Sequence, residues 1–348
     1  MQKVRMSHGA GGRAMQRLLK DIVIDRLRAD VGVVPLQALD DAAVIEDIVF
    51  TTDSHTVKPL FFPGGDIGTL SVAGTVNDLA VMGAQPLALS LSLIMEEGLE
   101  LSVLSKIIDS VARTADAADV PVVTGDTKVM EHGAIDQVVT NTAGIGKRHP
   151  SLDHNIEVVR AHRSLEGRWV RDAGLADGDA LLLSGTIGDH GIAILSAREG
   201  YGFESEVMSD VAPLNHMISR ALEIGGIVAM KDPTRGGLAN TLTEFSEKSG
   251  VGIEIDEALI PISPAVSSAC GMLGLDPLTI GNEGKVVMGV VREMAEEVIE
   301  TLRSTKEGRN AALIGWATKD VQGVVMRTRV GGRRIVEPPV GDPVPRIC

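Results

Sequence analysis

Two kinds of residue in this chain are placed to do chemistry: a thiol at the end of a proline-rich arm, and carboxylates at the ends of apolar runs. Cys348 closes the segment Glu337-Pro-Pro-Val-Gly-Asp-Pro-Val-Pro-Arg-Ile-Cys348, which holds four prolines in twelve residues. Proline fixes φ and has no N–H, so this arm favours extended conformations. At about 3.3 Å per residue it reaches ~40 Å, far enough to deliver a nucleophilic sulfur to a pocket. The carboxylates are Asp40-Asp41 before a strand, Asp53 after one, Asn77-Asp78 within a helix, Gly125-Asp126-Thr127-Lys128 after a strand, and Asp232 after the apolar run 227–230. Such groups can point into one cleft, where Mg²⁺ bridges protein carboxylates to phosphate oxygens. Asp also serves turns and caps. Asp78, inside an apolar helical stretch, is the one that most needs a partner.

Other segments carry weaker signals. Ser7-His-Gly-Ala-Gly-Gly12 precedes a helical stretch over 15–27, and Asp232-Pro-Thr-Arg-Gly-Gly237 leads into a helix at Leu238. Backbone N–H groups at a helix start attract anions, and Arg235 adds a bidentate cation. Gly-Gly before a helix also simply makes a turn. Gly188-Asp189-His190-Gly191 and Asn282-Glu283 put titratable groups at loop junctions, where either His190 or Glu283 can move a proton. A P-loop is absent, because Gly281-Asn-Glu-Gly-Lys285 lacks both the spacing and the hydroxyl.

Composition narrows the partners. The formal charge of −14 repels nucleic-acid phosphates, and aromatics at 2% leave no base-stacking platform. Two cysteines are too few for a secreted disulfide framework, and Cys270, among small apolar residues, reads as a buried thiol. The N-terminus lacks the apolar stretch of a signal peptide, and no apolar run is long enough to span a bilayer. The expectation is a cytoplasmic protein that binds neither nucleic acid nor membrane.

Periodicity predicts a mixed α/β (α+β) chain in two halves. In the first half, 42–44 and 48–52 form a hairpin, 66–83 a helix, 86–95 a strand, 102–119 a helix, and 121–124 and 138–146 strands. The polar stretch 147–155 marks the approach to a domain boundary. The second half predicts strands at 180–184, 227–230, 251–255, 286–291, 312–317 and 324–328. Helices are expected at 188–198, 238–248 and 295–302, and one capped by Ser263-Pro264.

Taken in order, several segments resemble the AIR synthase-like (PurM-type) ATP-binding superfamily and, within it, the HypE family of hydrogenase maturation proteins. They are SHGAGG at 7–12, DDAAV at 40–44, FTTDSHTVKPLFFPGGDIG at 50–68, GTVNDLAVMGAQP at 74–86 and VTGDTKV at 123–129, then SGTIGDHG at 184–191, MKDPTRGGLA at 230–239, GNEGK at 281–285 and the closing PRIC. The resemblance implies an N-terminal ATP-binding, dimerising domain over 1–150, an AIR synthase-like domain over 151–335 and a mobile tail over 336–348. The first domains of a homodimer would join their sheets into a barrel. ATP with Mg²⁺ would lie between the domains. Asp41, Asp53, Asp78 and Asp232 match metal or phosphate ligands, and Asp40, Asn77, Gly125, Asp126, Lys128 and Arg235 match further ATP-site positions.

The implied reaction starts when the carbamoyltransferase HypF places a carbamoyl group on Cys348. ATP-dependent dehydration then gives a thiocyanate, and the cyano group passes to iron on a HypC–HypD complex. Dehydrating an amide requires that its oxygen become a leaving group and its nitrogen lose protons. Lys128 suits the phosphates, and Glu283, then His190, are the candidate bases. Arg346 would offset the terminal carboxylate beside the thiol. Two alternatives stand: another superfamily activity, such as selenophosphate synthesis, thiamine-monophosphate phosphorylation or AIR synthesis, and a carrier whose tail ferries a group without catalysis.

Overall fold

The structure is a computed structural model that describes residues 3–27, 30–201, 207–341, 343–344 and 347–348. Arg346, expected beside the thiol as a counter-charge, lies outside the described residues, as does Pro345 of the closing motif.

The first half contains α1 (Arg13–Leu18), β1 (Ala43–Ile45), β2 (Ile48–His55), β3 (Phe61–Phe62), β4 (Gly65–Asp66), α2 (Ile67–Val81), β5 (Ala84–Glu96), α3 (Leu101–Ala118), β6 (Val122–Met130) and β7 (Val138–Arg148). Among the described residues these strands make a sheet of order β1-β2-β7-β5-β6, with β3-β4 as a separate ribbon. The β1–β2 hairpin forms as read, pairing Ala43 with Phe50. Helix α2 is buried almost throughout, and the Asp66 side chain caps its start by accepting from Thr69 N at 3.0 Å. It lies on one sheet face, where Val72 and Val76 meet Leu89, Val111 and Val120. β6 runs six residues beyond the expected strand end at Thr124, as an exposed edge.

The second half contains α4 (Leu152–His162), β8 (Ala180–Leu183), α5 (Asp189–Glu199), α6 (Asn215–Ile224), β9 (Ile227–Lys231), α7 (Gly237–Ser249), β10 (Gly252–Asp256), α8 (Pro264–Leu273), β11 (Val287–Val290), α9 (Ala295–Arg303), β12 (Ala312–Thr318), β13 (Val324–Arg327) and β14 (Arg333–Val336). Its sheet has the order β14-β13-β10-β12-β8-β11-β9. The Ser263 cap with Pro264 in the first turn of α8 is as expected. Helices α4 and α6 and strand β14 were not anticipated.

The halves share apolar cores. One joins Val49, Leu79 and Met82 to Leu152, Trp169, Leu182 and Met288. A second joins Phe62, Ile67 and Ile107 to Ile192, Val266 and Ile280, and it also holds Val344 and Ile347 of the arm. The arm's described end is therefore packed: Val344 is 1% and Ile347 3% exposed.

Candidate active site

Strand alternation places the first wall of the site. On β2, positions 49, 51, 53 and 55 face α2. Val49 enters the core, and Thr51, Asp53 and His55 continue that row toward the domain junction. On α2, Gly74 and Asp78 lie one turn apart on the facing side. Thr51 Oγ1 bridges the wall, 3.0 Å from both Asp78 Oδ2 and the Asp41 carbonyl oxygen. Asp53 Oδ2 lies 3.2 Å from His55 Nε2. Gly74 is needed here, since a Cβ would fall 2.9 Å from that ring nitrogen and 3.1 Å from the Asp53 carboxylate.

The second half supplies the opposite wall. Asp232 follows β9, and Glu283 sits in the loop before β11. Asn282 staples this loop, accepting from Gly188 N at 2.8 Å and donating to the Pro233 and Ile280 carbonyls at 3.0 and 3.1 Å. The cleft of about 350 Å³ between these walls is lined by Asp40, Asp41, Asp53, Asp78, Asp232, Glu283, Thr51, Thr234, Arg235 and Cys348, among others. Cys348 therefore faces the same space as the carboxylates.

Asp41, Asp78 and Asp232 each bring a carboxylate oxygen within 4.8 Å of the other two. Burial, then mutual repulsion with Asp53 and Asp41 beside Asp232, lifts Asp78 well above the carboxylate range. Asp41 is raised too, by burial that Lys231 only partly offsets. Burial brings Asp232 up to about 6. Asp53 goes the other way: burial opposes ionisation, yet His55 and Arg235 hold it at about 2. Asp41 Oδ2 and Glu283 Oε1 are buried without a hydrogen-bond partner. Clustered hard oxygens with an unmet lone pair fit a divalent cation such as Mg²⁺.

A buried ion network backs the triad. Lys231 Nζ lies 2.5 Å from Asp41, 3.1 Å from Asp172 and 3.3 Å from Glu244. Lys248 joins Asp172 at 2.6 Å to Asp40 at 3.2 Å, and Arg171 Nε meets Asp40 at 2.5 Å.

Family models for AIR synthase related proteins match this chain over residues 39–147 (N-terminal domain) and 176–327 (C-terminal domain). A putative hydrogenase expression/formation protein of Methanocaldococcus jannaschii is 53% identical, covering 99% of this chain and 100% of its own length. The carbamoyl dehydratase HypE of Azotobacter vinelandii is 44% identical, covering 99% and 97%. The chain belongs to the HypE family of carbamoyl dehydratases. Solved HypE structures share its fold. HypE in a HypE–HypF complex has a TM-score of 0.84 at 43% identity, covering 92% of this chain and 99% of the other. HypE in complex with ATP has 0.79 at 39% identity, covering 99% and 100%.

In this HypE-family chain, the structure gathers Asp41, Asp78, Asp232, Arg235, Glu283 and Cys348 into one cavity, with Asp53 beside the triad but outside it. The structure places the other expected residues elsewhere or gives them other partners. Asp40 lines the cavity, but its carboxylate is taken by Arg171 and Lys248. Asn77 is a brace between domains, with donors on the Ala212 and Glu283 carbonyls and Oδ1 accepting from Leu214 N at 2.8 Å. Gly125, Asp126 and Lys128 lie on exposed β6, away from the cleft. The register Asp53–Thr142–Leu91–Gly125 puts them three strands from Asp53, ~14 Å at the usual strand spacing. His190, a candidate base, has both ring nitrogens committed, to Ser209 Oγ and the Ile347 carbonyl. Sequence reasoning missed Lys231, Asp172, Lys248 and His55. The only signal for Lys231 was a cation ending an apolar strand directly before Asp232.

Proposed function

We propose that this chain dehydrates a carbamoyl group carried on the Cys348 sulfur to a thiocyanate, using ATP, as a step in hydrogenase maturation. The observation that carries the reading is that Cys348 lines the same cavity as the three clustered carboxylates, Arg235 and Glu283. Relatives named carbamoyl dehydratase and a HypE–ATP complex support the reaction and the nucleotide. In balance, the carbamoyl oxygen takes the γ-phosphoryl group, ADP departs, the nitrogen loses its two protons, and the C–O bond breaks to release phosphate and leave S–C≡N.

Asp41, Asp78 and Asp232 would hold Mg²⁺, which would neutralise phosphate charge in this acidic cavity. Arg235 contributes a fixed cation beside Cys348, its own charge favoured by that residue and, after burial opposes it, by Asp53 and Glu283. Glu283 receives the nitrogen protons. Its carboxyl is raised well above its ordinary value by burial and then by Asp232 and Asp53. Neutralising those two aspartates would remove part of that rise and favour the ionised form that accepts a proton. The shared cores and packed arm limit water entry, which protects an O-phosphorylated carbamoyl (imidoyl phosphate) from hydrolysis.

The tail must undock for carbamoylation. The HypE–HypF complex of a relative supports HypF as the partner then, and a HypC–HypD complex is the proposed acceptor. A homodimer is proposed through the outer face of the first sheet, which exposes Ile48, Phe50, Leu87 and Ile145. In this reading Gly125, Asp126 and Lys128 serve a nucleotide only if a second copy presents its β6 edge.

The test is ATP turnover by the purified chain before and after HypF-catalysed carbamoylation. The reading expects ADP release only with the carbamoylated tail. Turnover indifferent to carbamoylation, or none with it, contradicts the reading and favours a carrier.

A further inference from the structure

His190 stands in the first turn of α5, fully buried. Its Nε2 lies 2.8 Å from the Ile347 carbonyl oxygen, and its Nδ1 lies 2.7 Å from Ser209 Oγ. A carbonyl only accepts, so Nε2 carries the proton and Nδ1 accepts from the Ser209 hydroxyl. Phe62 meets the ring edge-on, with centroids 5.5 Å apart and planes at 87°. Neither nitrogen keeps a lone pair turned toward the cavity.

The Ile347 side chain is 3% exposed and packs with Ile192, Val266 and Ile280. A Cβ on residue 281 would fall 2.5 Å from Ile347 Cδ1, so this socket exists because residue 281 is glycine. Val344 is buried in the same cluster. Cys348 follows Ile347 directly, so the sulfur lies one residue beyond this anchor.

We propose that His190 and the Gly281-floored socket form a positioning device that reads the last peptide of the tail, gripping the Ile347 carbonyl and side chain so that Cys348 is aimed into the carboxylate cavity. This rests on the reading that Cys348 carries the reacting group. It assigns His190 a positioning role and leaves proton transfer to Glu283. Burial holds the imidazole below its ordinary value, against the Asp210 charge and the Ile347 hydrogen bond, which suits a neutral single donor. It also assigns a specificity to residue 347: an apolar side chain fills the socket, and a charged one would have to be desolvated among Ile192, Val266 and Ile280.

Carboxypeptidase release of Cys348 from the full-length chain, followed by mass spectrometry without nucleotide or partner, tests this apart from the chemistry. The native tail should be cut slowly. Ile347→Asp, which alters the tail alone, should raise the release rate at least about tenfold. His190→Phe should do the same, and His190→Gln, which keeps a donor, should stay within about threefold of native. Native release rates in both Ile347→Asp and His190→Phe would overturn the proposal, and Ile347→Asp alone decides it should His190→Phe not fold. Loss of dehydration in His190→Gln with the tail still protected would also overturn it, by restoring His190 as the base. A native chain whose tail is protected but which never dehydrates its carbamoyl group would support the anchor and refute the function.

Discussion

Lys231 and Asp41 meet across the domain junction at the wall of the cavity. The ammonium sits 2.5 Å from Asp41 Oδ1, and Asp41 Oδ2 is left buried without a hydrogen-bond partner. One oxygen is fixed by the second domain, and the other is presented to the triad. The cation site is therefore assembled only when the domains are docked.

Lys231→Met should destabilise the chain by ~3–5 kcal/mol, because it strands Asp41 and Glu244 without their cation and leaves Asp172 to Lys248 alone. Urea unfolding read by tryptophan fluorescence measures this. A change below ~1 kcal/mol would show that the network does not hold the domains together.

Protons and Mg²⁺ should compete for the triad. Asp232 is raised to about 6, so between its unfolded value and about 6 the folded chain binds more protons than the unfolded one. Its contribution to stability falls as pH rises through that window and stays lost above it. Asp41 and Asp78 act in the same direction. Mg²⁺ should therefore raise the Tm more at about pH 8 than at about pH 5.5. Asp78→Asn should raise the Tm of the metal-free chain and abolish most of the Mg²⁺ effect, with dehydration lost by roughly a hundredfold or more. Equal Mg²⁺ increments at both pH values, or an Asp78→Asn chain that keeps them, would remove Asp78 from the site.

Gly74→Ala should separate His55 from Asp53, since the added methyl falls within 2.9 Å of the ring. A cost of ~1–3 kcal/mol is expected from overpacking. The Asp53 carboxyl resonance, followed by NMR against pH, should titrate above the native value of about 2. An unmoved titration would mean that His55 does not hold the carboxylate.

Phe50 pairs with Ile145 on the outer sheet face, and both are exposed. Phe50→Glu should convert a dimer to a monomer in analytical ultracentrifugation while leaving the fold intact. A native chain that sediments as a monomer would exclude the proposed barrel, and with it the role of the β6 edge.

Much of the site was legible because its acids interrupt apolar runs. Asp78 inside α2 and Asp232 after β9 have no structural reason to be charged, and both reach the cavity. The strand β2 was readable from its β-branched run, and its alternation explains why Thr51, Asp53 and His55 share a face. What stayed hidden depended on distant partners. Asp40 and Asp41 are indistinguishable in sequence, yet neighbouring positions point apart, and Arg171 and Lys248 claim one of them. Lys231 reads as the end of a strand until Asp172 and Glu244 close around it. His190 carries the chemistry of a base, but burial beside Ile347 turns it into a donor. Asp126 and Lys128 sit where the expected strand ended early, and β6 carries them on along an exposed edge. The proline-rich arm reads as extended, and only the packed cores reveal that Val344 and Ile347 anchor it.

The central claim is tested most directly by the intact mass of the C-terminal peptide after incubation with HypF, a carbamoyl donor and ATP. The account predicts a carbamoyl adduct on Cys348 that loses one water when Mg-ATP is present, and no adduct in Cys348→Ala, which should fold and bind nucleotide as the native chain does. A carbamoyl adduct that persists unchanged with Mg-ATP, or the same mass changes in Cys348→Ala, would contradict it.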